Sequence, residues 1–188
     1  QYYTLSIDLH DHEAWHLGDI VRSDLLAGDN WRFVQPPIIP MDSSLRENAG
    51  GPYKTKLKNS GKPMDYTIAG YAGVPIAKFK VTRCLKGIDG FTAFPVDIEG
   101  FVQKDLYQIL HFWDVVDCFD EAESKFEIIP KNDPIRPDLA GNYRSVTLLV
   151  IDPARAQGKH LFRLARLENR LIVSEEVKRR FGGRYATG

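Results

Sequence analysis

The sequence has few cysteines and no net charge, and each shortage excludes a class of protein. Cys84 and Cys118, its two cysteines, lie in apolar patterns without CxxC spacing, so we expect buried free thiols in a reducing compartment. The 25 basic residues balance 25 acidic ones, whereas a general nucleic-acid-binding protein normally carries a basic excess that neutralises phosphates. These shortages predict a cytoplasmic protein that does not bind nucleic acid.

Long apolar runs are missing as well. No stretch reaches the roughly eighteen consecutive apolar residues of a transmembrane helix, so we expect no membrane partner. No secretory signal is visible, although the chain starts at Gln1 rather than Met and a preceding segment therefore stays an open alternative. With 188 residues, 43% hydrophobic and 27% charged, the chain is typical of one soluble globular domain. We predict a single domain over residues 1–188.

The common catalytic motifs are absent: the sequence has no GxSxG, GxxxxGK[ST], GxGxxG or HExxH. The strongest remaining candidate for chemistry is His10, His12 and His16, which lie among carboxylates and could bind zinc in a metal-dependent hydrolase. Metal sites normally recruit ligands from distant elements, however, and no second His or Cys cluster exists, which favours a solvated polar loop. We therefore predict no enzyme activity, no cofactor and no metal, with the histidine site as the alternative.

Hydrophobic periodicity predicts an α+β fold. Apolar and polar residues alternate over residues 3–9 and 91–98, which predicts strands, and the apolar, β-prone residues 107–116 predict a central strand. Residues 46–62, rich in Gly, Asn, Lys and Ser, predict an exposed loop or hairpin tip. We expect a mixed or mainly antiparallel sheet with two to four short helices.

Two helices are the best supported by local signals. One is predicted over residues 78–86, where Val81 and Leu85 repeat at four and Gly87 follows. The other follows Ser174, which stands where a helix N-cap is expected, with acidic residues in the first turn and basic residues in the last. Residues 74–87 and 170–183 thus echo each other, which indicates either a duplicated unit or two ordinary strand-and-helix elements.

An acidic segment offers a candidate surface. Six carboxylates lie within fourteen residues, from Asp114 to Glu127, beside Trp113 and Phe119. Charge runs are usually solvated turns, and that interpretation stays open here. The functional interpretation is a face that docks on a basic protein, because opposite charges speed encounter and an aromatic anchor supplies desolvated contact area. The predicted contact residues are Trp113, Asp114, Asp117, Asp120, Glu121 and Glu123.

Basic residues of the C-terminal third alternate with apolar ones and predict an exposed strand face. Aromatic residues are not interleaved with them as in a platform that stacks nucleic-acid bases. The residues concerned are Arg155, Lys159, Arg163, Arg166 and Arg170.

The C-terminal third also contains the most specific sequence motifs. Asp152-Pro153, the FRLA stretch at 162–165 and the LIVSEEVK stretch at 171–178 resemble the C-terminal signature of the immunity-protein 11 family of bacterial polymorphic toxin systems. The VVDCFDEA stretch at 115–122 and the opening Tyr2-Tyr3 are similar to the family too, so the likeness runs from about Tyr2 to Arg180. This resemblance implies an antidote that binds and blocks a cognate protein toxin without catalysis. A structural or adaptor module of a secretion system is the remaining alternative.

Overall fold

The computed structural model describes residues 1–6, 15–22, 53–59, 61–70, 73–102 and 106–182. The structure is mostly β, with 47% strand and 12% helical residues, and it contains a closed six-stranded barrel. The predicted α+β fold is therefore wrong. Helical periodicity is confined to the two short stretches noted above, and the described residues form two α-helices. Neither described helix has the length and hydropathy needed to cross a membrane.

The barrel sheet consists of β2 (His16–Leu17), β3 (Val21–Arg22), β4 (Tyr53–Asn59), β5 (Tyr66–Ala69), β6 (Val74–Lys78), β7 (Phe91–Glu99) and β8 (Tyr107–Phe112). The barrel closes because β2 pairs with two strands that are distant in sequence. Around the barrel the order is β2-β5-β6-β8-β7-β4, and β4 pairs back to β2, while β3 adds to β4. Closure leaves these six strands without an open edge. Trp15 lies in the apolar interior, with its ring 5.2 Å from that of Tyr107.

Strand β4 corrects the predicted loop over residues 46–62, which is wrong for residues 53–59. Tyr53 and Thr55 are buried, whereas Lys56 and Lys58 are exposed. The lysines gave this stretch a loop-like composition and hid the two-residue alternation that a barrel wall requires. Residues 46–52 and 60 lie outside the described residues.

A second sheet covers one side of the barrel. Its order is β1 (Tyr2–Leu5), β13 (Leu167–Ser174), β12 (Leu161–Leu164) and β9 (Val115–Val116), antiparallel except where β9 meets β12. The single strand predicted over residues 107–116 is therefore two strands in two sheets. The chain crosses between them beside Gly90, which has φ +102° and whose added Cβ would lie 2.5 Å from the Leu161 carbonyl oxygen. Only glycine fits this close approach.

Both predicted helices are confirmed, although the first is shorter than expected. Helix α1 (Phe79–Cys84) follows β6 and helix α2 (Glu175–Gly182) follows β13. Ser174 caps α2, since its Oγ accepts the Val177 N–H at 3.4 Å. Val81 and Leu85 from the first unit and Val177 from the second share one apolar layer between barrel and sheet. The echoing segments thus form two strand-and-helix units in contact, and a duplication origin stays a hypothesis.

A two-stranded ribbon packs on the outer face of the second sheet. It consists of β10 (Lys125–Ile128) and β11 (Tyr143–Leu148), joined by residues 129–142, which include a 3-10 turn at Pro137–Leu139. Phe119 stacks on Tyr143 with ring centroids 4.2 Å apart, and Phe162 from β12 lies in the same core. The ribbon is thus fixed to the sheet by aromatic packing.

Candidate protein-interaction site

The acidic segment starts at the crossing from the barrel to the second sheet. Trp113 is half-buried and its backbone N–H donates to the Gly90 carbonyl at 3.1 Å. The Asp114 carboxylate accepts the Lys159 ammonium at 2.9 Å and its side chain is 19% exposed. Both predicted contact residues therefore have structural partners that fix the crossing.

Asp120 shapes a tight turn. Its Oδ1 accepts the backbone N–H groups of Ala122 and Glu123, at 3.0 and 3.2 Å. Short acidic side chains commonly stabilise turns in this way. The turn fixes Glu121 and Glu123 on the surface beside the ribbon.

Glu121 belongs to a network that joins this turn to the ribbon and to the β12–β13 hairpin. Its Oε1 accepts the Tyr143 hydroxyl at 2.7 Å and also accepts the Arg166 guanidinium. These two hydrogen bonds, the Tyr143 bond first, lower the pKa of Glu121 and keep it ionised.

Arg166 is held in an uncommon backbone conformation by the same network. Its φ is +61°, its guanidinium lies 4.5 Å from the Tyr143 ring centroid, and its carbonyl accepts the Tyr143 N–H at 3.1 Å. A left-handed residue with a side chain costs about 1–2 kcal/mol and persists only where its surroundings hold it. Arg166 is held at both its side chain and its backbone, so the surface around Glu121 is rigid.

Four carboxylates of the segment are exposed: Glu121, which Tyr143 and Arg166 hold, and Asp117, Glu123 and Glu127. Of the last three, Asp117 lies before the turn that Asp120 shapes, Glu123 lies within it, and Glu127 follows it on β10. The segment therefore divides by role: Asp114, Asp120 and Glu121 support the local structure, and the other three exposed carboxylates provide negative charge to the surface.

Residues 129–142, which the sequence analysis did not single out, follow directly after Glu127 and Ile128 of β10 and join the two strands of the ribbon. They form a loop that displays apolar side chains, of which Ile135 is 80% exposed. Neither the two-residue alternation of a strand nor the helical repeat of apolar residues identifies such a loop. The usable signal was Pro130, Pro134, Ile135 and Pro137, which lie among charged and polar residues.

The histidine cluster gives no metal geometry within the described residues. His16 lies exposed on β2, and its backbone N–H donates to Asn59 Oδ1 at 2.6 Å. His10 and His12 lie outside the part of the chain that the structure describes. Across the described ranges, no group of three or more metal-binding side chains comes together.

One of the basic residues expected on an exposed strand face, Arg163, is in fact partly buried. The Nε and Nη2 atoms of Arg163 are buried, and Arg163 shares the barrel-facing side of β12 with Leu161. It lies near His111, which is 2% exposed, and burial followed by the Arg163 charge lowers the pKa of His111 to about 4. His111 is therefore neutral at physiological pH.

Both cysteines are free thiols, and they differ in burial. Cys118 is fully buried, and desolvation raises the pKa of its thiol to about 11. Cys84 is half-buried, so the predicted burial is only partial there, and its Sγ donates to the Lys80 carbonyl at 3.3 Å. A protonated, buried thiol such as Cys118 is a poor nucleophile.

Comparison with protein families gives one match. A model described as an immunity protein family, Imm11, matches residues 39–188. This range includes the acidic segment, the ribbon with its loop, and the C-terminal strands and helix. No curated protein matches the chain.

Proposed function

We propose that this chain, which belongs to the Imm11 immunity protein family, binds a cognate bacterial toxin and neutralises it without catalysis. The observation that carries the proposal is the family match over residues 39–188. The toxin would be inactivated by steric occlusion of its active site. The encounter takes place in the cytoplasm, a proposal that the two free thiols support.

The exposed carboxylates around the ribbon support a basic partner surface. The chain as a whole is neutral, so Asp117, Glu123 and Glu127 form a local negative field rather than part of a general acidity. Such a field raises the association rate with an oppositely charged protein and contributes less to its dissociation rate. The acidic segment would therefore steer the toxin onto the C-terminal part of the molecule.

The titratable groups near the acidic segment are already bound or buried within the fold, and this supports a non-catalytic role. Glu121 is bound by Tyr143 and Arg166, and Cys118 is a buried, protonated thiol. Catalysis needs such groups to converge on a substrate with adjusted pKa values. In this molecule the same groups stabilise the turn and the core.

Growth protection tests the proposal directly. The chain would be co-expressed with the toxin domain encoded by the open reading frame immediately upstream of its gene, with an empty vector as control. We expect the chain to restore growth and to bind the purified toxin domain. A toxin that kills equally with and without the chain, although the chain is folded and expressed, contradicts the proposed function.

A histidine variant separates the binding role from metal chemistry. Changing His10, His12 and His16 together to Ala should leave growth protection intact, and purified wild-type protein should contain no stoichiometric zinc by elemental analysis. Loss of protection in a folded triple variant would instead support the metal-dependent alternative.

Charge reversal tests the acidic surface. Asp117→Lys with Glu123→Lys should slow association with the toxin domain and reduce the dependence of the on-rate on salt. Asp89→Lys with Asp97→Lys is the matched control, because both residues are exposed and lie in the barrel part of the chain. Surface plasmon resonance at two ionic strengths distinguishes the pairs, and equal on-rates for both would place the toxin elsewhere.

A further inference from the structure

We propose that the loop formed by residues 129–142 inserts Ile135 as an apolar anchor into an apolar pocket of the toxin. This inference rests on the proposed function and assigns a part of the partner surface to a specific element. The acidic residues would steer the toxin, and the loop would hold it.

Several apolar side chains of the loop and of the strand end before it are exposed to solvent. Ile135 is 80% exposed and Ile128, just before the loop, is 45% exposed. Pro130, Pro134 and Pro137 are exposed as well. Isolated apolar residues are common on surfaces, whereas five exposed ones within ten positions of one loop and its base are a cluster of the kind found at interaction sites.

Hydrogen bonds hold the ends of the loop together. The Ile129 N–H donates to the Asn142 carbonyl at 2.9 Å, and the Gly141 N–H donates to the Ile129 carbonyl at 2.9 Å. A compact loop with closed ends is often functional, because its tip is presented in one conformation.

Asp133 fixes the tip from inside. Its side chain is 4% exposed and forms an ion pair with Arg144, and its Oδ1 accepts the N–H groups of Ile135 and Arg136 at 3.0 and 2.8 Å. A buried carboxylate thus holds the backbone of the residue that projects most. Because the backbone is ordered before binding, association costs less conformational entropy.

The charges of the loop indicate which pocket it fits. Arg136 is neutralised by Asp138, whose Oδ2 lies 2.9 Å from Nη2, and Arg144 is paired with Asp133. The remaining exposed charges are Lys131 in the loop and Glu127 just before it, which have opposite signs, so the loop and its base carry no net charge. The complementary surface is therefore an apolar pocket rather than a strongly charged one.

The two parts of the surface should differ in kinetics. An apolar side chain buried at an interface mainly slows dissociation, whereas peripheral charges mainly change association. Ile135→Ala should therefore increase the off-rate of the complex by roughly 30-fold with little change in on-rate, as for an interface hot spot. Ile135→Asp should weaken binding further, because it would bury a charge in the pocket.

The experiment uses the full chain and the toxin domain encoded immediately upstream as the probe, in surface plasmon resonance with thermal melts of every variant. Leu106→Asp is the matched control: Leu106 is 70% exposed and lies at the end of β8 away from the second sheet. We expect Ile135→Asp to lose most binding and Leu106→Asp to bind like wild type, with unchanged melting temperatures. Ile135→Leu should retain binding.

Each other outcome has a distinct meaning. If wild type binds and Ile135→Asp binds equally well, the anchor inference is overturned and the proposed function stands. If Leu106→Asp alone loses binding, the toxin meets the barrel and the inference is overturned again. If wild type does not bind the toxin domain, the proposed function fails, and the inference falls with it.

Discussion

The barrel and the C-terminal ribbon differ in how charged and apolar side chains are placed on their surfaces. On the barrel wall, Lys54 and Lys56 of β4 lie 3.8 and 3.6 Å from the Glu99 carboxylate of the neighbouring strand, so charges are matched across strands. On the ribbon side, Glu123 and Glu127 lie exposed, and the 129–142 loop presents Ile135 to solvent. The difference indicates a division of roles, in which the closed barrel is the stable scaffold and the ribbon presents the surface for a partner.

The largest expected effect concerns the core that fixes the ribbon to the sheet. Phe162 is fully buried in that core, so Phe162→Ala should lower the free energy of unfolding by roughly 3–5 kcal/mol. Phe79→Ala is the comparison, because Phe79 is 47% exposed on α1 and its loss should cost much less. Urea denaturation measures both, and equal losses would contradict the packing described here.

The next effect is a loss of stability in acid that arises from the buried His111 of β8. The pKa of His111 falls from 6.5 in the unfolded chain to about 4 in the fold, so the unfolded chain binds the proton more readily. The contribution of neutral His111 is fully present above about pH 6.5 and is lost as the pH falls towards 4, by about 3 kcal/mol in total. Chemical denaturation at several pH values should show this slope.

A substitution at His111 provides the control for the acid effect. His111→Leu removes the titrating group from its buried position. The unfolding free energy of the variant should then change less between pH 6.5 and 4, even if the variant is less stable throughout. An unchanged slope would assign the acid sensitivity to other groups.

A smaller effect is expected at the start of α2. Ser174→Ala removes the cap of the Val177 N–H and should cost about 1 kcal/mol. Helix α1 has no side-chain cap at Lys78, so Lys78 provides no comparable contribution there. Denaturation of Ser174→Ala beside wild type checks this, and a loss of less than a few tenths of a kcal/mol would mean that the cap is not used.

The smallest effect on stability is expected from the acidic surface. Asp117→Lys with Glu123→Lys should change the unfolding free energy by less than about 0.5 kcal/mol, because exposed charges contribute little to folding. Thermal melts decide this. A large destabilisation would show that the carboxylates support the fold, and would undermine their assignment to a partner surface.

Local signals predicted local structure well. Ser174, with Glu175 and Glu176 behind it, marked the start of α2, and the Val81 and Leu85 spacing marked α1. Barrel closure could not be predicted, because it depends on the two-residue strand His16–Leu17 pairing with β4 and β5. Such pairings are set by tertiary packing rather than by propensity.

The candidate site was predictable only in part. The carboxylates were visible as a charge run, but the sequence could not show that Tyr143 and Arg166 occupy Glu121 while Glu123 stays exposed. Arg163 shows the same limit, since its alternation with apolar residues predicted an exposed face, whereas its Nε and Nη2 atoms are buried. Alternation identifies the two faces of a strand, and tertiary packing decides which face meets water.

Hydrogen exchange of the full chain, free and bound to the toxin domain encoded upstream of its gene, tests the division of roles most directly. We predict that binding slows backbone exchange in the 120–124 turn and the 129–142 loop, while the barrel strands Tyr53–Asn59 and Tyr66–Ala69 exchange as in the free protein. Protection confined to those barrel strands, with the loop unchanged, would contradict the account.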